Sequence, residues 1–121
     1  MPAPARNMIF LGRLLLAALF IAGTLQKIIQ PEAAQALLTD RGLPEFLIWP
    51  ATAFNAFAAV CLIAGWWLSP VSLALALYCM VTSVFHFIPD DPWQMSIFVK
   101  NWAIAGGLLV LSGFTWPQRG D

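Results

Sequence analysis

A long uncharged run is the feature that most constrains how this chain can fold: from Phe46 to Pro89 there is no Asp, Glu, Lys or Arg. A helix needs about 20 apolar residues to cross the hydrocarbon core of a bilayer, so the run is long enough for two crossings. Ser69-Pro70 divides it near its middle and predicts a tight turn. The run therefore predicts two antiparallel transmembrane helices.

Two further apolar segments flank this run, and together they predict four crossings. Hydrophobic residues make up 60% of the chain and charged residues only 10%, whereas soluble domains carry about 25% charge. We predict an all-α fold, a transmembrane four-helix bundle in antiparallel up-down order, as one domain over residues 1–121. The predicted helices cover residues 8–28, 46–68, 70–88 and 92–115, with a short surface helix through Ala33–Leu38 in the first loop.

The first apolar segment has a second interpretation, as a secretory signal peptide. Arg6 would be its charged start, Leu14 to Gly23 its apolar core, and Ile21-Ala22-Gly23 a poor cleavage site. Arg13 interrupts that pattern, and the apolar character continues past the site to Ile29. These features favour a membrane crossing.

Basic residues divide evenly between the two predicted membrane faces, so their count alone does not orient the chain. We expect cytoplasmic termini, because acidic residues crowd the opposite face and two of its basic residues lie inside the membrane. The terminal face carries Arg6, Arg13 and Arg119; the opposite face carries Lys27, Arg41 and Lys100 together with Glu32, Asp40, Glu45, Asp90 and Asp91.

Polar residues from all four helices gather at the loop end of the predicted bundle. One interpretation is that Lys27 and His86 each extend from the interface to the headgroups. The other is a polar pocket that binds a quinone or lipid head group. The candidate residues for that pocket are Lys27, Asn55, His86, Lys100 and Asn101, with Gln94 close by.

Lys100 decides between these interpretations. Asp91-Pro92 predicts an N-cap followed by proline at the first helical position, which puts Lys100 about 12 Å along the last helix. A charge that faces lipid at the membrane centre costs about 2.5–3.5 kcal/mol, so we expect Lys100 to face inward.

Each predicted helix carries one stripe of small or polar residues at three- and four-residue spacing, typical of a packing face. We expect the closest helix contacts at Gly23, Ala103, Gly106 and Gly107. The stripes are Arg13, Leu16, Phe20, Gly23 and Lys27; Thr52, Asn55 and Ala59; Ser72, Cys79, Thr82 or Ser83, and His86; and Lys100, Ala103, Gly107 and Val110.

The inventory of side chains narrows the chemistry. One histidine and two cysteines cannot supply paired haem ligands or the four thiolates of an iron–sulfur cluster, so we predict no metal site and no cofactor of the chain's own. Six basic residues balance six acidic ones, so the chain has no net positive charge that would attract nucleic acid. Cys61 and Cys79 lie at similar depth on neighbouring helices; buried small side chains are favoured over facing thiols.

The polar cluster also has a structural interpretation, in which Lys100 and Asn101 join the loop ends by pairing with aspartates or backbone carbonyls. The chemical interpretation uses Lys100 and His86 as donors, with the amides of Asn55 and Asn101, toward a quinone carbonyl or a lipid head group. The residues alone leave both open.

One more pattern runs through nearly the whole chain. It comprises Gly12-Arg13-Leu14-Leu15-Leu16 with Gly23 and Lys27, then His86, then the segment from Phe98 to Leu109. The part that reads Lys-Asn-x-Ala-Ile-x-Gly-Gly, residues 100–107, is the most specific. In these parts the chain resembles the DoxX family of small bacterial four-helix membrane proteins.

The resemblance implies a multi-pass protein of the bacterial inner (cytoplasmic) membrane. Relatives include a membrane subunit of a thiosulfate:quinone oxidoreductase and members of redox-stress or detoxification complexes; more distant ones are similar to chaperones for membrane-protein assembly. It therefore implies an accessory or anchor subunit of a quinone-linked redox complex, in contact with lipid and with partner membrane or redox subunits or a second copy. It assigns no catalytic residue.

A second hypothesis is a non-catalytic assembly or scaffold factor. Such a protein would dock other transmembrane helices through small residues, here Gly106, Gly107 and Gly113. A transporter or channel is least favoured, because four helices leave little room for a pore.

Overall fold

The structure, a computed structural model, describes residues 1–117. These residues form helices and loops without a strand, and four helical segments are long and apolar enough to cross a membrane. Arg119, assigned above to the terminal face, lies outside the described residues. The helices are α1 (Ala3–Ile29), α2 (Pro31–Thr39), α3 (Ile48–Ala64), α4 (Leu68–Thr82) and α5 (Pro92–Phe114); 3₁₀ turns at Glu45–Leu47 and Ser83–His86 extend α3 and α4.

The predicted all-α class and the four crossings are confirmed. The surface helix predicted at Ala33–Leu38 is α2. α1 continues to Ile29 with Ala17 and Phe20 buried, as a membrane crossing requires. At the start of α5 the Asp91 side chain accepts hydrogen bonds from the backbone N–H groups of Trp93 (3.0 Å) and Gln94 (3.2 Å), so the predicted N-cap is confirmed.

The turn predicted at Ser69-Pro70 is wrong by a few residues. The break between α3 and α4 lies at Gly65–Trp67, and Pro70 lies in the first turn of α4, where a missing N–H leaves no intrahelical bond unmade. Gly65 ends α3 in the left-handed region, at φ 81°, and the Trp66 N–H donates back to the Cys61 carbonyl. Gly65 therefore ends α3 a few residues before the position that Pro70 suggested.

The chain divides into two compact units, one from Met1 to Trp66 and a second that begins at Trp67. In the first unit α1 packs on α3, and in the second α4 packs on α5. Contacts between opposite helix ends show that each pair runs antiparallel. The up-down order of all four helices and the single domain over residues 1–121 stay predictions.

Arg13 joins the two long helices of the first unit. Its Nε donates to the Leu62 carbonyl (2.8 Å) and its Nη2 to the Ile63 carbonyl (3.0 Å). These carbonyls belong to the last turn of α3, where no intrahelical donor remains. The guanidinium also lies over the Phe10 ring, 5.3 Å from its centroid. A cation at a helix C-terminus is stabilised by the helix dipole, so Arg13 acts as the C-terminal cap of α3.

Two serines join the helices of the second unit. The Ser69 hydroxyl donates to the Ser112 carbonyl (2.9 Å), and the Ser112 hydroxyl donates to the Ser69 carbonyl (2.8 Å). Both side chains are buried. The pair ties the start of α4 to the end of α5, and small side chains let the two backbones approach closely.

Three of the four predicted inward stripes are confirmed. The α1 stripe is half-buried or buried throughout, including Phe20. In α3 the residues Thr52, Asn55 and Ala59 are buried, and in α4 the stripe from Ser72 to Ser83 is buried or half-buried. Cys61 and Cys79 are both buried thiols, which confirms the favoured interpretation of them as small core side chains.

Replacing Arg13 with Met should lower the free energy of unfolding by about 1–3 kcal/mol, because two carbonyls at the end of α3 lose their donors. The exposed Arg6→Met is the matched control and should change stability by less than about 0.5 kcal/mol. Unfolding in mixed detergent, followed by circular dichroism, measures both. Equal effects at the two positions would contradict the proposed cap.

Ser69→Ala and Ser112→Ala should each destabilise the protein by about 0.6–1.7 kcal/mol, the range for interhelical hydrogen bonds in membranes. Ser96→Ala, at an exposed position of α5, should have no measurable effect. The same unfolding measurement applies. A Ser69→Ala variant as stable as the parent would show that the serine pair contributes nothing.

Candidate functional site

The residues predicted to form a polar pocket differ widely in exposure. Asn55 is buried at 2% exposure in α3, and Lys27 is half-buried near the end of α1. His86 and Asn101 are half-buried, whereas Lys100 is exposed. Lys27 and Asn55 belong to the first unit and the other three to the second. The pocket of five residues stays a prediction.

Lys27 lies back along its own helix. Its amine is 3.8 Å from the point that a Cβ at Gly23 would occupy. A helical side chain points toward the N-terminus of its helix, so the residue four positions earlier lies beneath it. The predicted small residue at Gly23 therefore gives the Lys27 amine room against α1.

An apolar groove runs between α1 and α3 in the first unit. Its volume is about 220 Å³, and small side chains on α3 form much of its floor. It is lined by Ile21, Thr24, Leu25, Ala56, Ala59, Val60 and Ile63.

His86 forms a close side-chain pair with Gln94 in the second unit. His86 Nδ1 lies 2.6 Å from Gln94 Oε1. His86 ends the 3₁₀ turn after α4, and Gln94 lies in the first turn of α5, so the pair closes the connecting loop. The sequence analysis placed Gln94 near the cluster but did not identify it as the partner of His86. The signal in the sequence was that a histidine and an amide lie eight residues apart, on either side of the Asp91 N-cap.

Three aromatic rings follow the two residues of this pair in the chain. Phe87 comes directly after His86, and Phe98 and Trp102 lie on α5 after Gln94. The Phe87 and Phe98 ring centroids are 5.2 Å apart at 57°, and those of Phe98 and Trp102 are 6.3 Å apart at 59°. Gln94, Phe98 and Trp102 follow at four-residue spacing, so they share one side of α5. We call Phe87, Phe98 and Trp102 the aromatic ladder.

The inward orientation of Lys100 in a four-helix bundle stays a prediction, and within the second unit Lys100 does not pack against α4. Lys100, Ala103 and Gly107 are exposed, and Val110 is 73% exposed. We call these four residues the α5 outer face. Gly106 is exposed as well, and no other part of the described chain lies within 4 Å of a Cβ built at Gly106 or Gly107. Ala103, Gly106 and Gly107 are therefore not packing contacts between α4 and α5 within the second unit.

The physical reason is that α5 has two faces with small residues. The buried one carries Ala105, Leu108 and Ser112, and it is selected by the Ser112 bond to Ser69. Lys100 and Gly107 lie on the opposite side of the same helix. Small residues at helical spacing indicate where another helix can pack closely, but they do not indicate which helix packs there.

A comparison with protein families agrees with this architecture. The sequence model of the DoxX family matches residues 8–88, about two thirds of the chain. This protein belongs to the DoxX family. The matched part of the chain includes Arg13, Lys27 and His86, and it ends before the segment from Phe98 to Leu109. No curated protein and no solved structure matches the chain.

Family membership and the four apolar helices make this DoxX protein a multi-pass membrane protein. Two surfaces outside its helix-packing cores carry polar chemistry. One is the α5 outer face with Lys100, and the other is the His86–Gln94 pair with the aromatic ladder.

Proposed function

We propose that this DoxX protein is an accessory subunit of a quinone-linked redox complex in the bacterial inner membrane, with cytoplasmic termini, and that it docks to its partner through the α5 outer face. The observation that carries the docking proposal is the exposure of Lys100 within a membrane-crossing helix. The redox linkage is supported by the resemblance to relatives that act as quinone-linked membrane subunits.

The depth of Lys100 makes its exposure costly. α5 has 23 residues, which is about 34 Å of helix, and Lys100 lies about 12 Å from its start at Pro92. An unpaired lysine at the centre of a bilayer costs about 2.5–3.5 kcal/mol, and extension of the side chain toward the interface lowers that cost. A partner that supplies an acceptor at this depth removes it.

The neighbours of Lys100 permit a close helix contact. Ala103 and Gly107 are separated by four residues, and open space lies over Gly107. This small-xxx-small spacing lets a second backbone approach closely enough for van der Waals contact and interhelical hydrogen bonds. The α5 outer face therefore fits a transmembrane helix better than it fits a soluble domain.

Charge complementarity defines the partner. A carboxylate is the acceptor that best matches a lysine in a low-dielectric medium. A second copy of this chain has no Asp or Glu in the interior of its apolar helices, since its acidic residues lie in α2, at the start of the 3₁₀ turn before α3, in loops, and at position 121. We therefore expect a different membrane protein with an Asp or Glu in a transmembrane helix.

The alternative function, a non-catalytic assembly or scaffold factor, uses the same face. It is favoured by the openness of Gly106, Gly107 and Gly113, over which nothing lies within 4 Å. The two functions differ in whether the partner carries redox centres. Isolation of the complex with its bound quinone and cofactors distinguishes them.

Gly107→Leu should reduce the partner that copurifies in mild detergent by at least about tenfold, because the added side chain fills the contact. Lys100→Leu should reduce it to a similar degree by leaving a partner carboxylate unpaired. Gly12→Leu is the matched control, since space is also open at Gly12. Native mass spectrometry measures the complex, and a photo-crosslinker at Ala103 identifies the contacting segment.

The proposal fails if Gly107→Leu keeps its partner, or if Gly12→Leu loses it equally. Recovery of a solitary, quinone-free species from native membranes would also count against it. A crosslink from Ala103 to a second copy of this chain would replace the heteromeric partner with a homo-oligomer.

A further inference from the structure

We propose that the His86–Gln94 pair and the aromatic ladder form the head-group site for a quinone, and that this site selects the reduced, hydroxyl-bearing quinol over the oxidised form. The inference rests on the proposed quinone linkage. Beyond that linkage, it specifies where the quinone ring binds and which redox form binds more tightly. It proposes no chemical reaction at this site.

The contact with Gln94 determines how the imidazole hydrogen-bonds. Gln94 Oε1 has no hydrogen to donate, so at 2.6 Å the donor is His86 Nδ1–H. In a neutral imidazole the proton on Nδ1 leaves Nε2 with a lone pair. His86 therefore presents an acceptor to a ligand, and a quinone carbonyl, itself an acceptor, cannot bond to it.

Gln94 keeps a complementary group. Its Oε1 is engaged by His86, and its amide nitrogen carries two further hydrogens. The pair thus offers one acceptor and an amide donor in half-exposed side chains. A hydroxyl group both donates and accepts, so it is the functional group that satisfies both.

The aromatic ladder provides a wall for the ring and a path for an apolar tail. Gln94 lies about 3 Å along α5 from Pro92, Phe98 about 9 Å and Trp102 about 15 Å. The polar pair is therefore at the membrane edge and the rings extend into the hydrocarbon. Phe87 and Trp102 remain about half-exposed, at 49% and 48%, so a ligand ring can contact them.

A charged head group is a poorer fit. The Asp91 carboxylate accepts a hydrogen bond from the Gln94 backbone N–H, so an acidic group lies beside the pair, and Lys100 lies on the opposite side of α5. A phospholipid phosphate would require a cation at the pair. A neutral hydroxylated ring with an apolar chain is the chemistry that the pair and the ladder match together.

The single histidine makes the tautomer directly measurable. Full-length protein labelled with ¹⁵N-histidine, carrying a histidine-free affinity tag, should show Nδ1 protonated and Nε2 unprotonated in long-range ¹H–¹⁵N spectra. Gln94→Leu should lose this preference, whereas Gln35→Leu on α2 should keep it. An Nε2–H tautomer in the unmodified protein overturns the proposal.

Binding is tested with a short-chain ubiquinol analogue, its quinone and its dimethyl ether, which retains the ring but cannot donate. Under anaerobic conditions the hydroquinone should shift the Nε2 signal and bind about three- to tenfold more tightly than the other two, the contribution of one net hydrogen bond. His86→Phe should abolish that preference. Trp102→Leu should weaken the binding of all three compounds alike.

The results separate this inference from the docking proposal. Equal affinity for hydroquinone and quinone overturns the redox selectivity, and no binding of any ring compound overturns the site itself. Neither result changes whether Gly107→Leu releases the partner. A partner lost in that variant while ring binding is absent would leave the docking function standing without this site.

Discussion

Pairing of helices by a few polar groups is the constraint on which this structure depends. In lipid, apolar helix surfaces gain little by leaving acyl chains for one another, so hydrogen bonds and close packing determine which faces meet. The first unit uses a guanidinium on the terminal carbonyls of α3, and the second uses the reciprocal Ser69–Ser112 bonds. Each joins two long helices near one end and leaves most of the remaining surface available to lipid or to other proteins.

The serine pair also determines what α5 presents outward. Because Ser112 faces α4, Lys100 and Gly107 are placed on the far side of the helix. These residues form the exposed face of α5 in the second unit, which we propose as the docking face. The exposed lysine on this face is the reason to expect a partner there.

An imidazole, an amide and aromatic rings remain near the loop end. His86 Nδ1 and Gln94 Oε1 form a close pair, and the ladder consists of Phe87 next to His86 in the chain and of Phe98 and Trp102 on α5. Sequence reasoning identified His86 as a candidate but paired it with Lys100 and Asn101. Gln94 was expected close to the cluster but not as the partner of His86, because the sequence does not show that the loop brings the histidine onto the first turn of α5. Arg13 was likewise visible as a charge within an apolar helix, although the carbonyls that it caps are 49 and 50 residues away.

By itself the sequence determined the membrane setting, the number of crossings, the Asp91 cap and the inward faces of α1, α3 and α4. These follow from hydropathy, capping chemistry and helical periodicity, which are local properties of a segment. Only the tertiary structure decided which face of α5 packs against α4. The two faces of α5 are similarly small, and the choice between them was made by a serine 43 residues earlier in the chain, a distance at which local periodicity carries no information.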